Sequence, residues 1–255
     1  MLKGKTILVT GAARGMGASD AEFMLHQGAA VVITDINAEL GRATEKRLSN
    51  LGPCTFMEHD VTDPAAWQRV VAATIAKHGQ LDALVNNAGL GGRASIESTS
   101  LETWRKALDV NATGVFLGMQ SVFPHMKERR RGSIVNIASM SGLVAARYPN
   151  VELTPNAGYY TAKAGVVVLT KLGATQFGPH GVRVNAVCPG VIKTDMSADS
   201  FADPERVAFF KAVIPFDRVG APADVAHAVA FLASDLSGFI NGVALPVDGG
   251  QTAKS

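Results

Sequence analysis

Short apolar runs alternate with longer amphipathic stretches along almost the whole chain. The amphipathic stretches have helical periodicity, as in residues 21–27 and 67–79. The apolar runs have the length of strands and are too continuously apolar for a sheet with one face in water. This alternation predicts a mostly parallel sheet covered by helices on both faces. The predicted strands are residues 6–10, 30–34, 54–58, 83–86, 133–137, 183–188 and 243–247.

The predicted fold class is α/β: a single-domain Rossmann-type doubly wound sheet of about seven mostly parallel strands. The chain has 255 residues, of which 47% are hydrophobic and 18% charged, so it can bury a substantial core. No repeat, low-complexity tract or linker-like run divides it, and we therefore predict one domain over residues 1–255. Ligands of such sheets bind at the carboxyl ends of the strands, near the point where the strand order reverses.

The charge and cysteine content exclude several classes of function. A formal net charge of +2 is too small to favour nucleic acid or a membrane surface as a partner. The basic run KERRR, residues 127–131, is interpreted as solvated cations at a helix C-terminus. Cys54 and Cys188 lack the spacing of metal ligands or of a disulfide framework. With no segment typical of a signal peptide or membrane span, we expect a soluble, cytoplasmic protein without a bound metal.

A glycine-rich turn, TGAARGMG, follows the first predicted strand and opens a predicted helix. Its glycines allow backbone N–H groups and the helix N-terminus to approach a pyrophosphate closely. A second strand follows and ends in a carboxylate, which is the context that dinucleotide binding requires. The predicted turn residues of this site are Gly11, Arg14, Gly15, Met16 and Gly17.

Asp35 ends the second predicted strand. A carboxylate at this position accepts both hydroxyls of an adenosine ribose and repels a 2′-phosphate, which favours NAD over NADP. Two alternatives stay open. Asp35 could instead cap a helix that starts near Asn37, and Arg14 could pair with the 2′-phosphate of NADP.

Two tyrosines precede a lysine in NAGYYTAKAG, residues 156–165. On a helix Tyr159 is four residues and Tyr160 three residues from Lys163, so either tyrosine shares a face with the lysine. Spacing alone does not choose between them. A ring on the core beside a solvated ammonium would explain either pair without any chemistry.

The chain resembles the short-chain dehydrogenase/reductase family from about residue 5 to the VDGG at residues 247–250. The order of five motifs is a much more specific signal than any one of them. The resemblance implies a dinucleotide-binding catalytic domain that transfers hydride between a nicotinamide coenzyme and an alcohol or ketone. The motifs are TGAARGMG, NNAG at 86–89, SIVNIAS at 133–139, YYTAK at 159–163 and PGVIKT at 189–194.

The family pattern Y-x-x-x-K falls on Tyr159 and Lys163 and leaves Tyr160 at a variable position. The resemblance implies that Tyr159 is the general acid/base, which requires a pKa below the ordinary value of about 10. It also implies that Lys163 and the positive nicotinamide ring supply this shift. Lys163 would in addition hold the hydroxyls of the nicotinamide ribose.

Two further polar residues complete the implied catalytic set. Ser139, followed by Gly142 at the family spacing, would bond the substrate oxygen; Ser141 is a nearby alternative, and either serine could be only a turn residue. Asn111 matches the asparagine that holds a water linking Lys163 to solvent. Its alternative role is a satisfied interior group that bends its helix.

The resemblance also implies a coenzyme site along the strand ends. Asn86 is expected to brace the sheet rather than to contact the coenzyme. The implied members are Asp60 and Val61 at the adenine, Asn87, Ala88 and Gly89 at the adenosine ribose, and Pro189, Gly190 and Thr194 at the nicotinamide, with Tyr159 and Lys163 at its ribose.

The connection between Ser139 and Tyr159 is longer than is common in the family. Its prolines and asparagines predict a substrate loop over about residues 140–158, and residues 195–217 are predicted to form a lid. Apolar residues in both segments predict a largely apolar substrate pocket, although they could instead only fix the loop to the body. Arg147 is an alternative partner for a substrate carboxylate. The apolar residues are Leu143, Val144, Tyr148, Val151, Leu153, Phe201, Phe209, Phe210 and Phe216.

We therefore expect an NAD-dependent oxidoreductase that interconverts a hydrophobic, cyclic or bulky secondary alcohol and its ketone. The alternatives are an NAD-binding sensor or scaffold without turnover and an NADPH-dependent ketoreductase. The family's usual assembly predicts a homo-oligomer, either a tetramer or a dimer. The apolar faces of residues 117–123 and 165–174 are compatible with such an interface.

Overall fold

One parallel sheet organises the molecule, as the alternating pattern predicts. The structure, a computed structural model, describes residues 1–145, 154–194 and 201–254. In these residues seven strands pair in the order β3-β2-β1-β4-β5-β6-β7, and the predicted fold class is confirmed. The predicted strand ends differ from the observed ones by at most one residue. The strands are β1 Thr6–Thr10, β2 Ala30–Asp35, β3 Cys54–Glu58, β4 Ala83–Asn86, β5 Gly132–Ile137, β6 Val182–Pro189 and β7 Ala244–Val247.

Helices cover both faces of this sheet. The strand order reverses between β1 and β4, so the carboxyl ends of these two strands flank the expected ligand crevice. A π-helical turn, Asp109–Thr113, joins α4 to α5. The α-helices of the described residues are α1 Gly15–His26, α2 Ala38–Leu48, α3 Pro64–His78, α4 Leu101–Leu108, α5 Gly114–Glu128, α6 Ala157–Phe177, α7 Pro204–Val213 and α8 Pro222–Ala233.

The core has two halves because successive side chains of a strand point to opposite faces. On β1, Ile7 and Val9 belong to the half that contains α1 and α8, whereas Leu8 belongs to the half that contains α3, α5 and α6. All three side chains are fully buried. Burial on both faces explains why the strands are continuously apolar, and it leaves the strand ends as the place for polar chemistry.

The basic run at the end of α5 is not wholly solvated. Arg129 donates to the carboxylate of Asp82 at 3.1 Å and to the carbonyl of Leu81 at 3.2 Å. Asp82 is buried and also accepts from the backbone N–H of Thr6 at 2.8 Å. The expectation of solvated cations is therefore wrong for Arg129. Its guanidinium neutralises a buried carboxylate that lies just before β4.

Cys54 and Cys188 are free thiols in β3 and β6. Across the described ranges, His, Cys, Asp and Glu side chains form no group of three or more that could hold a metal ion. Among the helices of the same ranges, none is both long enough and apolar enough to span a membrane.

Candidate active site

The glycine-rich turn packs directly on the loop that follows β4. A Cβ on Gly11 would lie 2.6 Å from Cα of Ala88, and a Cβ on Gly17 would clash with Nδ2 of Asn87. Asn87 donates from Nδ2 to the carbonyls of Thr10 and Gly11, at 2.9 and 3.0 Å. Both glycines are therefore required by close packing, and the turn and the β4 loop form one wall.

Gly15 is required for a different reason, since its φ of +60° lies in the left-handed region. It begins α1, and no side chain of a described residue caps that helix N-terminus. A Cβ on Gly15 would lie 3.9 Å from Cβ of Thr194, so the loop after β6 faces this turn. Arg14 is exposed, whereas Met16 packs against the core. Unpaired N–H groups at a helix N-terminus are suited to binding an anion.

Asp35 is held beside the glycine-rich turn. Its Oδ2 accepts from the N–H of Ala13 at 3.2 Å, and its Oδ1 accepts from the N–H of Asn37 at 3.0 Å. The N-cap of α2 is Asn37, whose Oδ1 accepts from the N–H of Leu40 at 3.0 Å. The alternative in which Asp35 caps this helix is therefore wrong.

Asp60 lines a cavity of about 500 Å³ at the carboxyl ends of β2 and β3. Its Oδ1 accepts from the backbone N–H and the hydroxyl of Thr62, at 2.9 and 2.7 Å. Val61 is buried under α5, because a Cβ on Gly114 would lie 2.9 Å from Cγ2 of Val61. The apolar wall of the cavity, Ile36, Leu101 and Val110, was not predicted, although Ile36 directly follows Asp35 in the sequence.

Tyr159 and Tyr160 have different surroundings. A side-chain hydrogen bond joins Tyr159 to Ser139. The Nζ of Lys163 lies 5.8 Å from the centroid of the Tyr159 ring. The Oη of Tyr160 is buried and has no hydrogen-bond partner among the described residues. Only Tyr159 therefore lies with both residues that the family pattern associates with it.

Burial is the main cause of the pKa shifts of Tyr159 and Lys163. Burial raises the pKa of the Tyr159 phenol above its ordinary value, and the hydrogen bond from Ser139 opposes this effect only in part. Burial lowers the pKa of Lys163 from 10.5 to about 8. The Lys163 side chain is 4% exposed, and its Nζ donates to the carbonyl of Ile137 at 2.7 Å. Lys163 is thus still mainly protonated at neutral pH.

Ser139 lies just after the end of β5. Its backbone is extended, and its Oγ accepts from the N–H of Ser141 at 3.1 Å. Ser141 belongs to the 3₁₀ turn Met140–Gly142, and the only group it offers to Ser139 in these contacts is its backbone N–H. A Cβ on Gly142 would lie 2.6 Å from the carbonyl oxygen of Lys163, so the turn rests directly on α6. The structure thus brings Ser139, not Ser141, to Tyr159.

Asn111 is a satisfied interior group, as one interpretation of the sequence expects. It lies in the π-helical turn and is fully buried. Its Nδ2 donates to the carbonyls of Leu90 and Ala107, both at 2.9 Å, and its Oδ1 accepts from the N–H of Leu90 at 3.1 Å. A Cβ on Gly89 would lie 2.9 Å from Oδ1 of Asn111 and 3.7 Å from Nζ of Lys163. Asn111 therefore also holds the β4 loop next to Lys163.

The ends of β4 and β6 complete the site. Asn86 donates from Nδ2 to Oδ1 of Asn136 at 2.9 Å and so braces the sheet, as expected. Pro189 is the last residue of β6. The N–H of Gly190 donates to Val247 at 3.0 Å, and a Cβ on Gly190 would lie 2.7 Å from Cβ of Asp248. The chain must therefore be glycine where it leaves β6.

The predicted substrate loop and lid lie only partly within the described residues. Arg147, Tyr148, Val151 and Leu153 lie outside them. The exposed fractions of Leu143 and Phe216 are 37% and 70%, so both present apolar surface. In the segment predicted as a lid, the ring centroid of Phe210 lies 5.9 Å from that of Phe201 and 6.0 Å from that of Phe209. Phe209 and Phe210 belong to α7.

A glycine-rich turn at the switch point of a parallel sheet is the dinucleotide site of Rossmann-type folds. Next to it, Ser139 follows β5, and Tyr159 and Lys163 lie at the start of α6. The family model described as enoyl-(acyl carrier protein) reductase matches residues 11–252. The chain belongs to the short-chain dehydrogenase/reductase family.

Several known proteins are similar over nearly the full length. Trans-4-hydroxycyclohexanecarboxylate dehydrogenase of Sinomonas cyclohexanicum is 40% identical, over 98% of this chain and 93% of that protein. The 3-alpha-(or 20-beta)-hydroxysteroid dehydrogenase of Mycobacterium tuberculosis is 41% identical, over 99% of this chain and 91% of that protein. The crystal structure of levodione reductase superposes with a TM-score of 0.91 at 33% identity, and the match covers 100% of both chains.

Proposed function

We propose that the protein is an NAD-dependent oxidoreductase that interconverts a hydrophobic, cyclic or bulky secondary alcohol and its ketone. The observation that carries this proposal is the contact of Tyr159 with Ser139 beside the buried Lys163. A protein that only binds a dinucleotide has no need of a buried ammonium beside a phenol. The proposal therefore includes turnover.

The proposed reaction gives a separate role to each of the four predicted catalytic residues. Tyr159 takes the proton of the alcohol during oxidation and returns it during reduction. Ser139 donates to the substrate oxygen as negative charge develops there. Lys163 keeps a positive charge close to the phenol and so favours phenolate, against the effect of burial on the Tyr159 pKa. Asn111 holds the β4 loop against Lys163.

The residues present fit a bound NAD. The uncapped N-terminus of α1 at Gly15 suits a pyrophosphate, and the carboxylate of Asp35 suits the adenosine ribose. The cavity beside Asp60 suits the adenine. When bound, the nicotinamide ring accepts or delivers the hydride. We propose that the nicotinamide end of the coenzyme is bound by Thr194, Pro189 and Gly190.

The substrate class rests on two kinds of support. The names of the two relatives and of the levodione reductase denote oxidoreductases, and those of the relatives denote hydroxyl groups on ring compounds. Leu143 and Phe216 place exposed apolar surface on the segments predicted as substrate loop and lid. Apolar surface of this kind suits a ring substrate that has few polar groups.

Coupled spectrophotometric assays test the proposed function directly. Formation of NADH from NAD⁺, and separately of NADPH from NADP⁺, is measured against open-chain, cyclic and bicyclic secondary alcohols. Turnover with NAD⁺ on cyclic alcohols supports the proposal. Turnover only with NADP⁺ supports the ketoreductase alternative. Binding of NAD without turnover on any alcohol or matching ketone supports a sensor or scaffold.

Asp35→Asn will lower the preference for NAD⁺ over NADP⁺ by about 10- to 100-fold in kcat/KM. The exchange keeps a side-chain oxygen that can accept from the N–H of Ala13 or Asn37. It removes the negative charge that binds the ribose hydroxyls and repels a 2′-phosphate. Hydrogen bonds to a charged group contribute about 1.5–3 kcal/mol. Glu58→Gln is the matched control, because Glu58 is exposed at the end of β3, next to Asp35 in register. An unchanged ratio in Asp35→Asn would contradict the assignment.

A homo-oligomer, a tetramer or a dimer, is also proposed. Helices α5 and α6 expose apolar side chains, with exposed fractions of 46% for Phe116, 66% for Val168 and 48% for Leu172. Such surface is typical of a helix interface between identical subunits. Multi-angle light scattering is expected to give a mass of at least twice 26.6 kDa. A mass of one chain at micromolar concentration would refute the proposal.

A further inference from the structure

Asn156 is an almost completely buried polar residue just before the helix that carries Tyr159. Its exposed fraction is 1%. It is the N-cap of α6, and its Oδ1 accepts from the N–H of Tyr159 at 2.9 Å. A cap of this kind needs only the oxygen of the side chain. Burial of the amide nitrogen as well requires a second partner.

That second partner is Gly92, in the loop that follows β4. Nδ2 of Asn156 donates to the carbonyl of Gly92 at 3.2 Å, and the backbone N–H of Asn156 donates to the same carbonyl at 3.0 Å. A Cβ on Gly92, where φ is +154°, would lie 2.9 Å from Nδ2 of Asn156. The β4 loop at Gly92 and the start of α6 at Asn156 therefore pack closely against each other.

The same loop is held from its other side by Asn111. Asn111 bonds both the N–H and the carbonyl of Leu90, two residues before Gly92. Next to Gly92, Arg93 forms an antiparallel bridge with Pro155, and the N–H of Ala94 donates to Thr154 at 3.3 Å. The β4 loop is thus fixed between the π-helical turn and the start of α6.

We propose that Asn156 is a positioning residue for Tyr159, acting through its double contact with Gly92 and with the Tyr159 amide. The amide side chain ties the first turn of α6 to the β4 loop and so sets the position of the phenol against Ser139. The inference rests on the proposed role of Tyr159 as acid/base. Asn156 itself touches neither Ser139 nor the side chain of Lys163 through any of these bonds.

Loss of the side-chain bond to Gly92 will lower kcat without a matching loss of stability, while the backbone N–H of Asn156 keeps its own bond to that carbonyl. Misplacement of a reacting group by about 1 Å can cost about 100-fold in rate. Asn156→Ser keeps an oxygen that can cap α6 but has no second polar group to reach Gly92, and we expect kcat to fall about 10-fold or more. Asn156→Ala loses both functions, and we expect a fall of about 100-fold together with a lower melting temperature.

The pH profile of kcat provides a readout that loss of a helix cap alone would not change. The hydrogen bond with Ser139 lowers the Tyr159 pKa. A displaced Tyr159 loses part of this bond, and its pKa therefore rises. The kinetic pKa of both neutral variants is therefore expected to rise, and no charge has been added that could cause this rise. Asn37→Ser is the matched control, because Asn37 caps α2 with its oxygen, accepting from Leu40.

The experiment measures kcat at saturating coenzyme from pH 6 to 10, and the melting temperature, for wild type, the two Asn156 variants, Asn37→Ser and Tyr159→Phe. Reduced kcat with a raised kinetic pKa in Asn156→Ser, and neither change in Asn37→Ser, supports the inference. Wild-type kcat and pH profile in Asn156→Ser overturns it, while an inactive Tyr159→Phe leaves the proposed function intact. If Tyr159→Phe is fully active, the proposed function itself is wrong.

Discussion

Tyr159→Phe will lower kcat for alcohol oxidation by about 10²- to 10⁴-fold, which is the usual contribution of a positioned acid/base. The exchange removes one oxygen atom and leaves the ring beside Lys163. Because Lys163 and the other proposed coenzyme-site residues are unchanged, the loss of the Tyr159 hydroxyl should weaken NAD binding much less than it lowers kcat. The measurement is steady-state kcat together with a fluorescence titration of the coenzyme.

Tyr160→Phe is the matched control in the same turn of α6. The Tyr160 hydroxyl is buried without a hydrogen-bond partner in the described part of the chain, so its removal takes away an unsatisfied polar group. We expect unchanged kcat and a melting temperature at or above that of wild type. Equal losses of kcat in the two variants would contradict the assignment of Tyr159.

Lys163→Met will also lower kcat/KM by about 10²-fold or more, and it will at the same time stabilise the coenzyme-free protein. Catalysis loses the positive charge that favours phenolate and the group proposed to hold the nicotinamide ribose. Stability rises because the ammonium is buried at 4% exposure and no carboxylate of the described residues is bonded to it. A lysine kept for activity at a cost in stability is a known pattern of functional sites.

The sign and size of the stability effect follow from the pKa of Lys163. The pKa falls from 10.5 to about 8 on folding, so between these values the unfolded chain binds more protons than the folded one. Stability of wild type therefore rises with pH across this window, and at neutral pH the penalty is about 3 kcal/mol. The methionine leaves the Ile137 carbonyl without its donor, which costs about 1 kcal/mol or more. We expect a net gain of about 1–2 kcal/mol at pH 7.

The measurement is urea unfolding of wild type and Lys163→Met at pH 7 and at pH 10, without coenzyme. The gain in the free energy of unfolding should be largest at pH 7 and smaller at pH 10, where the wild-type penalty is partly relieved. Lys46→Met is the control, since Lys46 is exposed on α2, outside the helices proposed to form the subunit interface, and should change neither stability nor kcat. A Lys163→Met protein that is less stable at pH 7 would refute the prediction.

The architecture could be predicted because each strand carries its own local signal. A buried parallel strand is a short apolar run, and seven such runs between helical segments leave few other folds. The turn from Gly11 to Gly17 and the Y-x-x-x-K pattern are also local, so their positions could be read directly. Asn111 is a more instructive case, because the helix bend that the sequence allowed is present as a π-helical turn.

The long-range contacts could not be predicted in this way. Arg129 and Asp82 are 47 residues apart, and Asn156 and Gly92 are 64 residues apart, so no sequence periodicity relates them. A lowered pKa was expected for Tyr159, whereas burial raises it in the structure, because desolvation depends on the packing of distant segments. Asn156 falls within the predicted substrate loop, and neither its capping bond nor its bond to Gly92 had a signal in the sequence.

The chain between Ser139 and Tyr159 is anchored at both ends by groups that do not depend on its middle. Gly142 rests on the Lys163 carbonyl, and Asn156 is bonded to Gly92. A segment with fixed ends tolerates changes of length at small cost, since loop entropy varies only slowly with the number of residues. We therefore expect that the residues between Gly142 and Thr154 can be exchanged with little change in the positions of Ser139 and Tyr159.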